Sequence, residues 1–528
     1  MATVTQNDLR IRNAHNMVLH LSNESEPCYM FIGRPEPWMS MIENNPRPRM
    51  MMGDESVPYP ENNWEDFYRT WDQMLTLRKI LSKDVFHMIP RNSWTSGATY
   101  DMYRHDYSEF LRSFSNAQNI YNALFFVVSR TNNVYVCLDN NQGSPSLMEP
   151  LSESSEPFYT SDGYQWLRIY TVGFYEQTEH SSNNFIPITN DNVNNRTPGA
   201  VYTVIVDSRG NDYVPSAFNE LYELDHCYCH ISGDGTGAVA KVTIIDGRIF
   251  QVRVVRSGQG YTRAKLDFKP NKVYNSLLDL DNNRNGFNPR GNSAFQSTVI
   301  ISPPGGWGTD VEEEKILTLA KQLGGTRVGV YSRFGHNTED YIEQGTFRQL
   351  GVLDELVYAD STIDPPATMS VMKAVVVTEP INTQNIEFVV GETIHQIHVD
   401  ENDPAIIHTA KGMVVGWDDM PVPEVASDKK YQLIRYIQDP ETHADIDGNL
   451  YLFEGDAMIV GESSKKEAAP NLSFGLPVKE KMDDMFFYSG YSVDEVVKYS
   501  GNMLYMTNLN PITRVTTQSE RVSFILSY

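Results

Sequence analysis

Three clusters in the chain carry residue types that could do chemistry. The first is Gly233-Asp-Gly-Thr-Gly237, whose glycine spacing resembles a phosphate-binding loop. Such a loop needs a Gly-Lys-Ser/Thr step and a helix whose N-terminus faces the anion. Here Lys241 stands outside that context and an alternating hairpin pattern follows, so phosphate binding is not expected. The second cluster is His226-Cys-Tyr-Cys-His230, rich in the thiols and imidazoles that hold zinc. On an extended strand Cys227 and Cys229 face one way and His226 and His230 the other. No second Cys-x-x-Cys pair exists to complete a tetrahedron, and strand packing is the expectation. The third, Asp281-Asn-Asn-Arg-Asn-Gly286, opens like a calcium loop with oxygens at Asp281, Asn283 and Asn285. Asn292 stands where the bidentate Glu belongs and no flanking helices are evident, so an Asn-rich surface loop is expected. Glycoside hydrolysis needs two carboxylates across a cleft, and among 68 acidic residues no pair can be singled out. The expectation is a chain with no catalytic residue, no cofactor and no metal.

The elements that would position such groups are mostly strands. Val134 to Leu138, Val201 to Val206, Val239 to Ile245, Ile249 to Val255, Met372 to Val377 and Ile386 to Val390 are β-branched or alternating runs bounded by turn residues. Asp246-Gly247 predicts a tight hairpin turn, and Asp447-Gly448 gives a second hairpin cue between Ala444 and Leu452. The chain ends on Val522, Phe524 and Leu526 alternating with Ser523 and Ser527, a half-buried strand that must pair with something. Two helices are expected. Trp64, Phe67, Tyr68, Trp71, Leu75 and Leu81 fall at helical spacing from Trp64 to Leu81, behind an N-cap at Asn62 or Asn63. This aromatic stripe reads as core, with an intersubunit surface as the other reading. The second helix runs from Asp310 to Gly324-Gly325, with Glu312, Glu313 and Glu314 in its first turn.

Composition narrows the function classes. A chain of 528 residues suits two to four domains. A formal net charge of −25 argues against a nucleic-acid or anionic-membrane surface, both of which need clustered Lys and Arg. With 40% apolar and 11% aromatic residues, there is enough apolar surface for folding. No apolar run reaches the length of a bilayer crossing and the amino terminus does not read as a signal peptide, so assembly in a cytoplasm is expected. Cys28, Cys137, Cys227 and Cys229 are too few for a disulfide framework and are expected to be reduced thiols.

Several short motifs occur in an order that resembles one family. Phe31-Ile-Gly-Arg-Pro-Glu-Pro-Trp38 is similar to a Phe-Gly-Arg-x-Glu-Pro-Trp motif, with Ile32 inserted before Gly33. Val85 to Trp94 contains Ile-Pro-Arg-x-x-Trp through Pro90, Arg91 and Trp94; Tyr135 to Asp139 matches Tyr-x-Cys-Leu-Asp, and Asp162 to Trp166 matches Asp-Gly-Tyr-x-Trp. Near the end, Gly501, Met503, Tyr505, Met506 and Asn508 match Gly-x-Met-x-Tyr-Met-x-Asn. Together these resemble a baseplate wedge protein of T-even-type contractile-tailed bacteriophages, the dimeric subunit that links other wedge proteins. The resemblance covers roughly residues 29 to 190, a looser stretch from Arg348 to Val357, and the last forty.

The resemblance implies a homodimer in the virion tail baseplate, contacting other wedge proteins but neither nucleic acid nor membrane. It implies architectural or interface roles for Phe31, Gly33, Arg34, Glu36, Trp38, Pro90, Arg91, Trp94 and the tail residues, beside the helix residues Trp64 and Trp71. Arg34 and Glu36 could pair across the turn or with a neighbouring subunit, and Pro90, Arg91 and Trp94 would fix how the aromatic helix leaves its layer. A host-glycan-binding tail component is the alternative, using Trp307, Tyr331 or Trp417 to stack sugars, and a tail-associated glycosidase is the third. The expected fold is mainly β (α+β), with antiparallel sandwich-like layers, a few helices and two inserted β-rich regions. The scaffold would comprise residues 1–100, 304–373 and 482–528; residues 101–194 form a second β domain, and 195–303 and 374–481 are the insertions. The first insertion resembles the Gly-x-Gly-Ala and Gly-x-Gly-Tyr-Thr modules of phage structural proteins, seen here from Gly233 to Thr262.

Overall fold

A computed structural model describes residues 6–38, 57–189, 197–211, 213, 226–268, 272–284, 286, 295–303, 305–308, 315–335, 345–360, 364, 366–378, 387–399, 407–420, 431–482, 485–515 and 519–528. Among them the fold is mainly β, built from antiparallel sheets with six α-helices. The chain forms two compact units. One contains residues 1–18, 86–329 and 524–528, the other 19–85 and 330–523.

In the first unit, the strands Phe126–Val128, Asn133–Asp139, Gln165–Thr171 and Phe158–Tyr159 form a four-stranded sheet in that order. Val134 to Leu138 of its second strand are all apolar because both faces are covered. Val134, Val136 and Leu138 enter one core with Leu167, Ile169 and Trp307, while Tyr135 and Cys137 enter another with Tyr164 and Trp166. The Asp162 turn is fixed by its own carboxylate, which accepts from the backbone of Leu147 at 2.7 Å and Met148 at 2.9 Å. Arg248–Gln259, Thr236–Ile245, His226–His230 and Val273–Tyr274 make a second four-stranded sheet, which shares a core with the ribbon of Val201–Arg209 and Phe295–Ile301. This is a sandwich-like arrangement in which alternate residues of each layer face inward. The hairpin turns at Asp246 and Gly247, both left-handed (φ 50° and 70°), as a two-residue turn matching strand twist requires. The chain ends paired, with the Tyr528 backbone N–H donating to Thr326 O at 3.1 Å. Val522 and Phe524 are buried and Ser523 and Ser527 exposed, while Leu526, expected on the buried face, is only half-buried.

The second unit holds a five-stranded antiparallel sheet in the order Thr368–Ser370, Met74–Lys79, Tyr29–Gly33, Gly345–Asp354, Asn502–Arg514. All five residues of Tyr29–Gly33 are buried. Tyr29 and Phe31 pack with Trp71, Leu77, Leu353 and Met369. Each such large apolar side chain contributes roughly 1.5–3 kcal/mol by leaving water. A nine-stranded antiparallel sheet is centred on Thr393–Val399, Ile407–Met420, Tyr431–Ile437 and Lys373–Thr378.

Several expectations are corrected. The aromatic helix spans only Trp64–Asp72, capped by the Asn63 side chain accepting from Asp66 N at 2.7 Å. Met74–Lys79 is a strand instead, because its backbone groups pair with Tyr29–Gly33, and tertiary pairing overrides helical spacing. The helix is not a core helix along its whole stripe: Trp71 is fully buried but Trp64 is 74% exposed. Residues 387–390 form no strand, because Glu392 turns the chain, its carboxylate accepting from Val389 N at 2.7 Å. Asp447-Gly448 is a turn without flanking strands, organised by the Asp445 carboxylate accepting from Asp447 N and Asn449 N at 3.0 and 2.7 Å. The second helix is described from Lys315 to Leu323; its acidic first turn lies outside the described residues.

Candidate interaction site around the amino-terminal motif

The motif strand Tyr29–Gly33 has Met74–Lys79 on one side and Gly345–Asp354 on the other, and Gly345–Asp354 in turn pairs with the tail strand Asn502–Arg514. Phe31 lies opposite Gly351, and Gly351 opposite Met506. The strand leaves the sheet at Gly33, where a Cβ would stand 2.9 Å from Gln73 O. Arg34 then adopts a left-handed backbone (φ 58°), its N–H donating to Gln73 O at 2.8 Å. That conformation is uncommon outside glycine and turns the chain sharply outward.

The residues that follow are held by side chains distant in sequence. Arg348 Nη1 donates to Pro35 O at 2.5 Å. The Gln73 side-chain amide donates to Glu36 at 2.7 Å and to Asp439 at 2.5 Å, and Thr442 Oγ1 donates to Glu36 at 3.2 Å. Both acids are buried. Burial, and then the neighbouring Asp439, hold the Glu36 carboxyl above its ordinary range; Arg34 and the two hydrogen bonds oppose this only partly. Asp439 also caps the short helix Pro440–His443 through Glu441 N at 2.8 Å.

Trp38 is buried and doubly fixed. The Arg34 guanidinium lies 4.2 Å from its ring centroid, and its Nε1 donates to Leu509 O at 3.2 Å. Of the two pairings open to Arg34 and Glu36, the one across the turn is not formed: the Glu36 oxygens accept from Gln73 and Thr442. The tail motif is drawn into the same network. Asn508 accepts from Gln349 Nε2 at 2.9 Å and donates to Pro58 O at 2.8 Å, and Thr70 Oγ1 donates to Met506 Sδ at 3.0 Å. Met503 packs on the core of the sheet, and Tyr505 lies opposite Val352. Gly501 (φ 75°) admits the tail strand, since a Cβ there would lie 2.4 Å from Asp354 O.

A cleft of about 410 Å³ opens beside these residues, lined by Arg34, Trp38, Tyr59, Glu61, Arg69 and Asn508 among others. Arg69 bridges Glu65 at 2.9 Å and Glu441 at 2.7 Å. Elsewhere on the same helix Trp64 stacks on Tyr68 (6.2 Å), which meets Tyr499 edge-on at 5.0 Å. Pro90, Arg91 and Trp94 are not part of this site, nor do they follow the helix directly. They leave the strand Val85–Pro90 in the first unit, where Arg91 N donates to Asn184 O at 2.8 Å and Trp94 Nε1 to Ser146 Oγ at 3.1 Å. Sequence reasoning missed Gln73, Arg348, Asp439 and Thr442. Asp439-Pro440 carried a legible helix-start signal, but nothing local linked it to Glu36.

The described members of the three chemical clusters are engaged with neighbouring groups of the chain. The glycines of Gly233 to Gly237 and Gly258 cradle Tyr261: Cβ atoms on Gly233, Gly235 and Gly258 would come within 2.8, 2.5 and 2.9 Å of its ring. The Tyr261 hydroxyl donates to Ile231 O at 3.1 Å and accepts from Ala238 N at 3.3 Å, so the glycine loop is filled by its own tyrosine. Cys227 and Cys229 are buried in one core while His230 is exposed; the His226 side chain lies outside the described residues. All four cysteines are free and buried. The Asp281 carboxylate is held by both Arg256 nitrogens at 2.5 and 2.6 Å, and the Asn283 oxygen accepts from Tyr274 at 2.7 Å. Asn285 and Asn292 lie outside the described residues. Among the described residues no group of His, Cys, Asp and Glu is arranged to hold a metal, and no helix is long and apolar enough to cross a membrane.

No family model matches this chain, and no curated protein matches it by sequence.

Proposed function

We propose that this chain is a non-enzymatic structural subunit of a phage tail baseplate wedge, a homodimer that bridges neighbouring wedge proteins during assembly and contraction. The observation that carries the reading is the adjacency of three separated segments. Tyr29–Gly33, Gly345–Asp354 and Asn502–Arg514, which hold or overlap the residues of the family resemblance, are consecutive strands of one sheet. The motif residues beyond the first strand are tied to the tail strand through Trp38 and Leu509. A role in architecture fits side chains spent on each other and on the backbone.

Wide antiparallel sheets with close-packed cores move as whole bodies, so they transmit displacement without unfolding. The energy for contraction would come from the assembled tail. Its place would be the virion baseplate, reached after assembly in the host cytoplasm, with no nucleic-acid or membrane contact. Mixing the purified chain with the other wedge proteins and looking for a larger stable complex tests the reading; a chain that stays apart from all of them contradicts it.

The glycan-binding alternative loses its candidate residues. Trp307, Tyr331 and Trp417 are 4%, 5% and 8% exposed, and Lys466 lies over the Trp417 ring at 4.4 Å, so none presents an open face for a sugar.

A further inference from the structure

We infer that the cleft beside Arg34 and Trp38 is a docking site for an extended segment of a different protein that carries a Lys or Arg side chain. The inference deepens the bridging role proposed above by giving one neighbour a surface. Its argument starts from Arg34, which is 6% exposed and lines the cleft. Its guanidinium rests on Trp38, yet its Nε meets no hydrogen-bond acceptor among the described residues. Nearby Arg348 donates to Pro35 O, and Arg69 bridges Glu65 and Glu441 through its terminal nitrogens while its own Nε, like that of Arg34, meets no acceptor among these residues. Leaving a buried charged donor without an acceptor is costly, and Arg34 is held there by a left-handed backbone that itself carries strain. Both features fit a donor kept ready for an acceptor brought by a partner.

The charge of the lining decides what that acceptor is. Among the described residues, Glu61, Glu65, Asp66 and Glu441 line the cleft with Arg34 and Arg69, and Glu36 and Asp439 lie buried near Arg34. A phosphate or free carboxylate would be repelled by this excess of carboxylates. A peptide carbonyl is neutral and accepts from a guanidinium equally well in geometry. The same carboxylates favour a cationic side chain at the rim, where Tyr59, 94% exposed, offers an open ring for it. Two copies of the chain joined through this face would set like charges opposite each other, which disfavours self-association here. The occupant that satisfies buried donor, acidic rim and open ring together is a basic, extended segment of another chain.

The test uses the full-length chain and a random dodecapeptide library as probe. Selected peptides should be enriched in Lys and Arg, and their binding, followed by fluorescence anisotropy, should weaken as salt rises from low to physiological strength. Arg34→Met should weaken binding at least ten-fold. Because Arg34 is buried and its replacement also perturbs the fold, Glu61→Gln and Tyr59→Ala at the rim serve as second variants, each expected to weaken binding several-fold with an unchanged melting temperature. Peptides without basic enrichment, binding indifferent to all three substitutions, or binding of a maltoheptaose probe competing at this cleft would each overturn the inference. Co-assembly with wedge proteins is measured separately, so peptide selection can fail while the assembly reading stands, and the reverse.

Discussion

Phe31 and Gly351 are direct partners across two strands, and the Phe31 ring occupies the space where a side chain on Gly351 would begin. A Cβ there would lie 2.5 Å from the ring and 2.2 Å from Tyr505 O. The amino-terminal motif, the middle strand and the tail strand therefore fit together through a missing side chain. Gly351→Ala should destabilise the second unit by about 1–3 kcal/mol, the usual cost of overpacking a core. Gly416→Ala is the control, since its nearest neighbour would be the flexible Arg435 side chain at 3.4 Å. Urea unfolding of the two variants checks the difference.

Glu36 is held above the ordinary carboxylate range, so folding disfavours its charged form relative to the unfolded chain. Between the unfolded value of about 4.3 and the raised folded value, the native state binds more protons than the unfolded state. This group's contribution to stability therefore falls as pH rises through that window. Glu36→Gln should gain stability relative to the wild type as pH increases from about 4 to 7, with the two curves converging in acid. Thermal melts of both proteins across that range would contradict the assignment if the gap were constant.

His87 gives the opposite slope in the other unit. It is buried against His15, ring centroids 5.4 Å apart and nitrogens 3.1 Å apart. Burial, and then its neighbour's charge, push it down to about 4. Above the unfolded value of about 6.5 both states are neutral; as pH falls toward 4 only the unfolded state gains the proton, so stability is lost. The full loss is on the order of 3 kcal/mol. His87→Phe should flatten that loss, read as the pH dependence of unit-specific amide exchange.

Tyr261 fills the glycine cradle of the first unit. Tyr261→Ala should cost about 3–5 kcal/mol as a large buried ring is removed, and Tyr261→Phe about 1 kcal/mol as two hydrogen bonds to its hydroxyl are lost. The wild type should not bind ATP in equilibrium dialysis, because the glycine loop is filled by the Tyr261 ring.

Signals local to a few residues were legible in the sequence. The alternation of Cys227 and Cys229, the Asp246-Gly247 turn, the Asn63 cap and the buried face of Val522 and Phe524 each depend on neighbours within a turn or a strand. The helix read from Trp64 to Leu81 failed where Met74–Lys79 found a partner strand more than forty residues earlier in the chain. The candidate site was half legible. Arg34, Glu36, Trp38, Met506 and Asn508 were singled out, but Gln73, Arg348, Asp439 and Thr442 were not. Their roles come from long-range pairing, which no local spacing encodes. The open cleft was likewise beyond the sequence, since its lining brings together residues from 34–70, 349, 441 and 508.

Light scattering on the full chain and on a chain lacking Ser500 to Tyr528, each alone and mixed with phage baseplate wedge proteins, tests the proposed role most directly. Removing the tail strips the strand that covers one edge of Gly345–Asp354 and leaves an unpaired apolar edge. The account predicts twice the chain mass for the intact protein, a larger stable complex on mixing, and no soluble dimer from the truncated chain. A soluble, dimeric truncation, or an intact monomer that joins no wedge protein, would contradict it.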